Sequence, residues 1–571
     1  MAACAARAHR RGDPAAEIDR PRVDRDRVRR DGHGQYAALR DVARVRTAGR
    51  CGDRLCRAGR VADHSRRPRR AAHQSLPDAP ARRTGARTAQ PRVVGRVGGP
   101  QLIPALVPIS TMSDPRPLLF SLYEQASVGC GGAPSLWTHP ADERLRANTL
   151  AFWSNLARTA EQADLDMLFF ADVLGLYDVY GGSADAAVQW AVEAPANDPM
   201  MLIPALVAQT ERLAFGVTAS TTYEHPFALA RRFSTLDHLS NGRIGWNIVT
   251  SYLTSAARNF GLDRMIGHDA RYARAEEFLD VVYKLWEGSW ADDAVVADKH
   301  APRYARGERV RPIAHEGTHY RVQGPHVCAP SPQRSPVLIQ AGWSGRGRAF
   351  AAKHAEVVFV AKSDPHEIRA GLDEIRRLAA ERGRAADDVK SLTVLRIVTA
   401  RSSSDAKEKY HSLQQHYHQH AQLVSYAGDT GIDIDRYADD EPLTTQTEGL
   451  TSYVVRPDGS GKPLTAGDVR RKFASVTRGT DLILVGAPDE VADQLAEHAQ
   501  RSTTSGYMIN PLISPGTLDD FAELIVPELK KRGLYRTTPA SGTFRSRLGG
   551  RDRLPDTAYG ASFRFPVPEA G

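Results

Sequence analysis

PVLIQAGWSGRGRAFAAKHAEVVFVA, residues 336 to 361, is the stretch on which the fold turns. An apolar run (336 to 342) enters a glycine-rich turn, a segment of helical length follows, and a second apolar run, EVVFVA (356 to 361), closes the unit. Strand, turn, helix and strand make one βαβ unit, the crossover that two parallel strands require. The same alternation extends in both directions. Strand candidates are LLFSLY (118 to 123), MLFFAD (167 to 172), LAFGVT (213 to 218), RIGWNIVT (243 to 250), LTVLRIVTA (392 to 400) and GYMINP (506 to 511), besides the two already quoted. Between them lie amphipathic helices. Phe278, Val281, Val282 and Leu285 fall at i, i+3, i+4 and i+7, and Ile368, Leu372, Ile375 and Leu378 repeat that spacing. Eight strands, each followed by a helix, predict an α/β fold closed as a (β/α)8 TIM barrel. A ninth run, LILVGAP (482 to 488), reads as a lead-in to the helix that starts near Asp489.

Charge divides the 571 residues in two. Residues 1 to 111 hold 25 Arg, no Lys and 10 acidic residues; subtracting these from the totals of 76 basic and 67 acidic leaves 51 and 57 for the rest. The basic character therefore belongs to an Arg-rich leader without helical or strand periodicity, expected to be disordered. Arg without Lys, mixed with Ala, Gly and Pro, is what translation of a GC-rich upstream region produces, and Met112 reads as the start of the folded protein. The rival is a basic arm for nucleic acid or anionic lipid; the remainder, mildly acidic, calls for no nucleic-acid partner. Only Cys130 and Cys328 lie beyond the leader, which makes no disulfide framework and fits a reducing cytoplasm. No apolar run approaches the ~18 residues of a membrane span. The expected organisation is a leader (1 to 111), a barrel domain (112 to 537) and a C-terminal tail (538 to 571). Two long insertions, 289 to 335 and 401 to 480, are placed on the catalytic rim of the barrel or as braces for it.

Several motifs carry chemistry. Ser344, Gly345 and Gly347 set a hydroxyl and backbone N–H groups at a helix N-terminus after a late strand, where a phosphate is favoured. The pattern is not GxGxxG, so no dinucleotide site is implied. In GHDARYARAEEF, His268 precedes a helix with Asp269 as its N-cap, and Tyr272, four residues on, lies on the same face. Both side chains can donate to one anion. Asp172 and Thr218 end strands, at the rim where barrels carry their chemistry.

The run TTYEHPFALARRFSTLDHLSNGRIGWNIVTS (221 to 251), with LWTHPAD, FFAD, HDARYARAEEFLDVVYKLWEGSW and QAGWSGRGRAFAA, resembles the bacterial-luciferase-like flavin monooxygenases. The branch is that of nitrilotriacetate monooxygenase component A, dibenzothiophene-sulfone monooxygenase and the pristinamycin synthase large subunit. The resemblance covers residues 115 to 537 and thins within 401 to 480. It implies FMN bound without a covalent link through Asp172, Thr218, His268, Tyr272 and Ser344, the last two at the phosphate, with Asn247 a further contact. It implies that reduced FMN, delivered by a separate NAD(P)H:flavin reductase, forms a 4a-hydroperoxide with O2 and oxidises a small organic compound, a xenobiotic or a sulfur- or nitrogen-containing molecule. His139 and His225 are the proton-transfer candidates, because imidazole titrates near neutrality. The resemblance further implies a homodimer or homotetramer and no metal. A deazaflavin-dependent oxidoreductase on the same barrel is the alternative.

Overall fold

The computed structural model describes residues 117–129, 133–444, 449, 454, 461–476 and 481–566; the leader expected to be disordered lies outside them. Nine strands build the main sheet: β1 (Leu119–Gln125), β2 (Met167–Ala171), β3 (Ala214–Ser220), β4 (Ile244–Val249), β5 (Val337–Gln340), β6 (Val357–Val360), β7 (Lys390–Thr399), β8 (Leu482–Gly486) and β9 (Gly506–Ile509). All but β8 form a closed parallel ring, with β9 returning to β1 so that Gly506 stands opposite Leu119. The fold is the (β/α)8 barrel expected. Its longer helices are α1 (Leu150–Gln162), α2 (Pro199–Val207), α3 (Pro226–Leu239), α4 (His268–Tyr283), α5 (Gly345–His354), α6 (Pro365–Ala380), α7 (Ser403–Gln415), α8 (Gln419–Thr430) and α9 (Pro488–Ser502). Among the described residues no helix is long and apolar enough to cross a membrane.

Strand alternation sorts the side chains. Met167, Phe169, Val337, Ile339, Val357, Phe359, Leu392 and Val394 share one interior cluster. Phe169 and Phe359, from opposite sides of the ring, meet with centroids 4.6 Å apart, so the interior is filled. Gly216 makes room there, since a Cβ would fall 2.6 Å from Met167 Sδ and displace it. The other face of the same strands, Phe120, Leu168, Phe170, Phe215 and Trp246, packs under the helices. Each such aromatic or aliphatic side chain contributes roughly 1.5–3 kcal/mol by leaving water.

Within the run 482–488, residues 482–486 form a strand and not merely the approach to a helix. β7 is ten residues long and outlasts its ring neighbour: β9 pairs with Leu392 to Leu395, and β8 takes over along Leu395 to Thr399. An unpaired stretch of strand leaves backbone N–H and C=O groups unmet, and β8 supplies their partners.

The two insertions differ in place. The described residues of 401–480 follow β7 and stand at the carboxyl ends of the strands, as expected of a rim element. Residues 289–335 follow a helix, so they begin and end at the opposite face, where Gln333 Nε2 donates to Asp237 Oδ1 and to the Ile244 carbonyl. Their hairpin (His315–Glu316, Arg321–Val322) nevertheless reaches the residues just after β3, where Tyr320 Oη donates to the Thr221 carbonyl at 3.2 Å. The segment after 537 is structured through residue 566. Phe544 joins the interior cluster with Val337, Val357 and Met508, plugging the amino-terminal end of the barrel, and Arg545 beside it is buried.

Candidate functional site

At the carboxyl end of β5 the chain turns through Gly342 and enters α5. Ser344 is the N-cap of that helix, its Oγ accepting from the Gly347 N–H at 3.1 Å. The first-turn N–H groups of Gly345 and Arg346 have no acceptor within the helix, as at every helix start. Tyr272, 7% exposed on α4, shares hydrogen bonds with Ser344 and Gln340. Burial pushes its phenol above the ordinary tyrosine value, so it stays a neutral donor. The Arg346 guanidinium lies 5.9 Å from the Tyr272 ring centre and adds positive charge. The glycines are dictated by closeness. A Cβ on Gly342 would fall 2.3 Å from Gln340 Nε2 and 2.8 Å from Tyr272 Oη, and one on Gly347 would fall 3.1 Å from Tyr272 Oη. Hydroxyls, a helix N-terminus and a guanidinium thus converge on a cradle without side chains of its own, chemistry that suits a phosphate.

His268 stands at the first position of α4, its Nδ1 2.9 Å from Asp269 Oδ1 and its ring 5.1 Å from that of Tyr272. Asp269 is not the N-cap: that position is Gly267, and Asp269 sits in the first turn, where its charge favours the helix dipole. A second group lies inside the ring. Thr218 and Asn247 face each other across β3 and β4; Asn247 Nδ2 donates to Thr218 Oγ1 at 3.0 Å, and that hydroxyl donates to the Phe170 carbonyl. Asn247 Oδ1 is buried without a protein partner, an acceptor available to a ligand. Asp172 follows β2 directly, and burial, reinforced by Asp198 and Glu193, raises its carboxyl to about 7. A carboxyl titrating near neutrality at a barrel rim is a hydrogen-bond donor as readily as an acceptor.

His139 and His225 lie in other surroundings. His139 is set against the insertion, Nε2 3.3 Å from Ser412 Oγ and its ring 4.9 Å from that of His416. His225 is the N-cap of α3, its Nδ1 accepting from the Phe227 N–H, and it lines an open groove of about 610 Å³ with Trp290, Arg321 and His326. Sequence reading missed Gln340 and the group formed by Tyr177, Tyr252 and Asp429. A Gln inside the apolar run PVLIQAG was a legible signal; the second group joins residues 252 positions apart and left none.

The family model for luciferase-like monooxygenase matches residues 132–505. Long-chain alkane monooxygenase of Geobacillus thermodenitrificans is 43% identical over 441 residues, 76% of this chain and 96% of that protein. Dimethyl-sulfide monooxygenase of Hyphomicrobium sulfonivorans is 42% identical over 433 residues, 75% of this chain and 90% of that protein. The crystal structure of riboflavin lyase with modified FMN and riboflavin superposes with a TM-score of 0.75 at 36% identity, covering 79% of this chain and all of that one. The branch expected from the sequence is also present: dibenzothiophene-sulfone monooxygenase at 35% identity, and nitrilotriacetate monooxygenase component A and the pristinamycin IIA synthase of Streptomyces pristinaespiralis at 34%. With a family model spanning most of the barrel and monooxygenases similar over three quarters of the chain, this protein belongs to the luciferase-like monooxygenases.

Proposed function

We propose that the protein is an FMN-dependent two-component monooxygenase that takes reduced FMN from a separate NAD(P)H:flavin reductase and oxidises a small organic compound. The cradle at Gly342, Ser344 and Tyr272 carries this reading, because the Ser344 hydroxyl at the start of α5, the buried Tyr272 phenol bonded to it and the Arg346 guanidinium form the donor set a phosphate calls for. Ser344 and Tyr272 donate hydroxyls to the phosphate, His268 flanks them, and the N–H groups of Gly345 and Arg346 complete the anion's shell. Reduced FMN supplies the electrons that activate dioxygen. Thr218 and Asn247 present polar atoms inside the ring to the flavin's heterocycle, and Asp172 presents a carboxyl that can hold or give up a proton near pH 7. Helix α8 of the insertion after β7, bonded through Asp429 to Tyr177 and Tyr252 in the loops after β2 and β4, would help exclude water from the rim. The relatives' printed activities, on a long-chain alkane and on dimethyl sulfide, favour a substrate of low polarity.

The test is anaerobic titration of the full chain with reduced FMN, followed by product analysis with an added reductase. Retention of reduced FMN and oxygenated product support the reading. Absence of reduced-FMN binding, or hydride transfer from a deazaflavin without oxygen uptake, overturns it.

A further inference from the structure

The open groove beside α3 is lined by one continuous stretch of chain, residues Arg321 to Val327, together with Trp290 and with His225 and Phe227 at the start of the helix. Its volume of about 610 Å³ is that of a small-molecule site. Much of its lining is apolar. Trp290 Nε1 donates to the His326 carbonyl at 2.8 Å, so the polar atom of the indole is committed and the ring has only apolar surface to offer. Val327 adds an isopropyl group that is 61% exposed, and Phe227 is half-buried against the main core. His326 brings no charge: it is buried, and burial holds its imidazole down at about 4.

The polar groups gather near the hairpin. His225 Nδ1 accepts from the Phe227 N–H at 3.3 Å. An amide can only donate, so this nitrogen is bare and the proton of the neutral ring sits on Nε2, at the edge away from the helix backbone. The His225 ring lies 6.3 Å from that of Tyr320, and Arg321 is the next residue. Arg321 is exposed, and Glu316 stands opposite it in the hairpin register. Among the described residues the Arg321 guanidinium nevertheless makes no ion pair or hydrogen bond. A free guanidinium and an imidazole N–H therefore stand at a groove walled by an indole and a phenyl ring.

We propose that this groove is a second ligand site, which takes an aromatic carboxylate. Its ring would lie along Trp290 and Phe227, and its carboxylate would be met by Arg321 and by the Nε2–H of His225. The groove shares no residue with the cradle at Ser344 and Tyr272, and the site does not depend on the identity of the cofactor. His225 thereby has a binding role, not one in proton transfer.

The experiment is isothermal titration of the full chain with naphthoate and with naphthylmethanol, which carries the same ring without the charge. The wild type should bind the carboxylate about tenfold more tightly than the alcohol, the worth of a hydrogen bond to a charged group. Arg321→Gln should abolish that preference, weakening the carboxylate about tenfold and leaving the alcohol unchanged. His225→Asn keeps an acceptor for the start of α3 but lacks the ring N–H, and should weaken the carboxylate alone, by about threefold. Val327→Asp should weaken both ligands. Arg321 and Val327 are exposed, so their variants keep the fold. Ser344→Ala combined with Tyr272→Phe should leave both affinities as they are. Naphthoate affinity within twofold of wild type in Arg321→Gln, equal binding of the two ligands by the wild type, or absence of saturable binding overturns the proposal. Loss of naphthoate binding in the Ser344→Ala, Tyr272→Phe variant overturns it too, by placing the ligand in the cradle.

Discussion

Replacing Arg545 by Leu tests whether the segment after residue 537 is part of the barrel's foundation. The guanidinium pairs with Glu356 through Nε (2.7 Å) and Nη2 (3.0 Å), and it donates to the carbonyls of Gln333, Ser335 and Pro336. Glu356 in turn accepts from the Leu338 N–H in β5. Leu fills similar volume but leaves a buried carboxylate without its counter-charge and three carbonyls without donors. Removing one partner of a buried pair costs about 3–5 kcal/mol, and the orphaned carbonyls push toward the upper end. At ~2.1 cal/mol/K per residue, roughly 430 described residues give an unfolding entropy near 0.9 kcal/mol/K, so Tm should fall by about 3–6 °C. Calorimetry at one scan rate measures it. Adding Glu356→Leu removes the unpaired charge, so the double variant should be no less stable than Arg545→Leu alone. A Tm within 1 °C of wild type for the single variant, or simple additivity in the double, refutes the reasoning.

Three further outcomes are expected. Tyr272→Phe and Ser344→Ala should each weaken reduced-FMN retention by about tenfold, one charge-assisted hydrogen bond apiece, measured by anaerobic equilibrium dialysis; unchanged affinity in the double variant rejects the phosphate cradle. Asp172 binds its proton more tightly folded (about 7) than unfolded, so its contribution, at most ~4 kcal/mol, is complete below pH 4 and is lost as pH rises to 7. Asp172→Asn should flatten that fall in urea titrations run across the window, and an unaltered slope counts against it. His326 behaves oppositely: burial, and secondarily His238, depress its value to about 4, so the stability it lends above pH 6.5 is lost as pH drops through 4. His326→Gln, which keeps an amide toward Ser234, should make Tm less sensitive to acid between pH 6.5 and 4.

The residue order alone determined the barrel and the placing of Ser344 and Tyr272 near the starts of their helices, because both depend on short-range regularities. Apolar runs at strand length alternating with helical spacing leave little besides a parallel ring, and a glycine-rich turn after a late strand sets a helix N-terminus at its rim. Tyr272 and Ser344 were legible for that reason: each sits at a position its own helix defines. Folding decided what depends on partners far away in the chain. β8 is a strand only because β7 outruns β9 and leaves an edge to fill. Asp269 yields the N-cap to Gly267 because the helix begins two residues earlier than its polar side chain suggested. The ring of Tyr177, Tyr252 and Asp429 unites three loops and helices that share no local pattern, and Asp172 acquires its near-neutral titration from burial beside Asp198 and Glu193. Periodicity reports which face of an element is apolar; which side chains share a low-dielectric space is settled only when the ring closes.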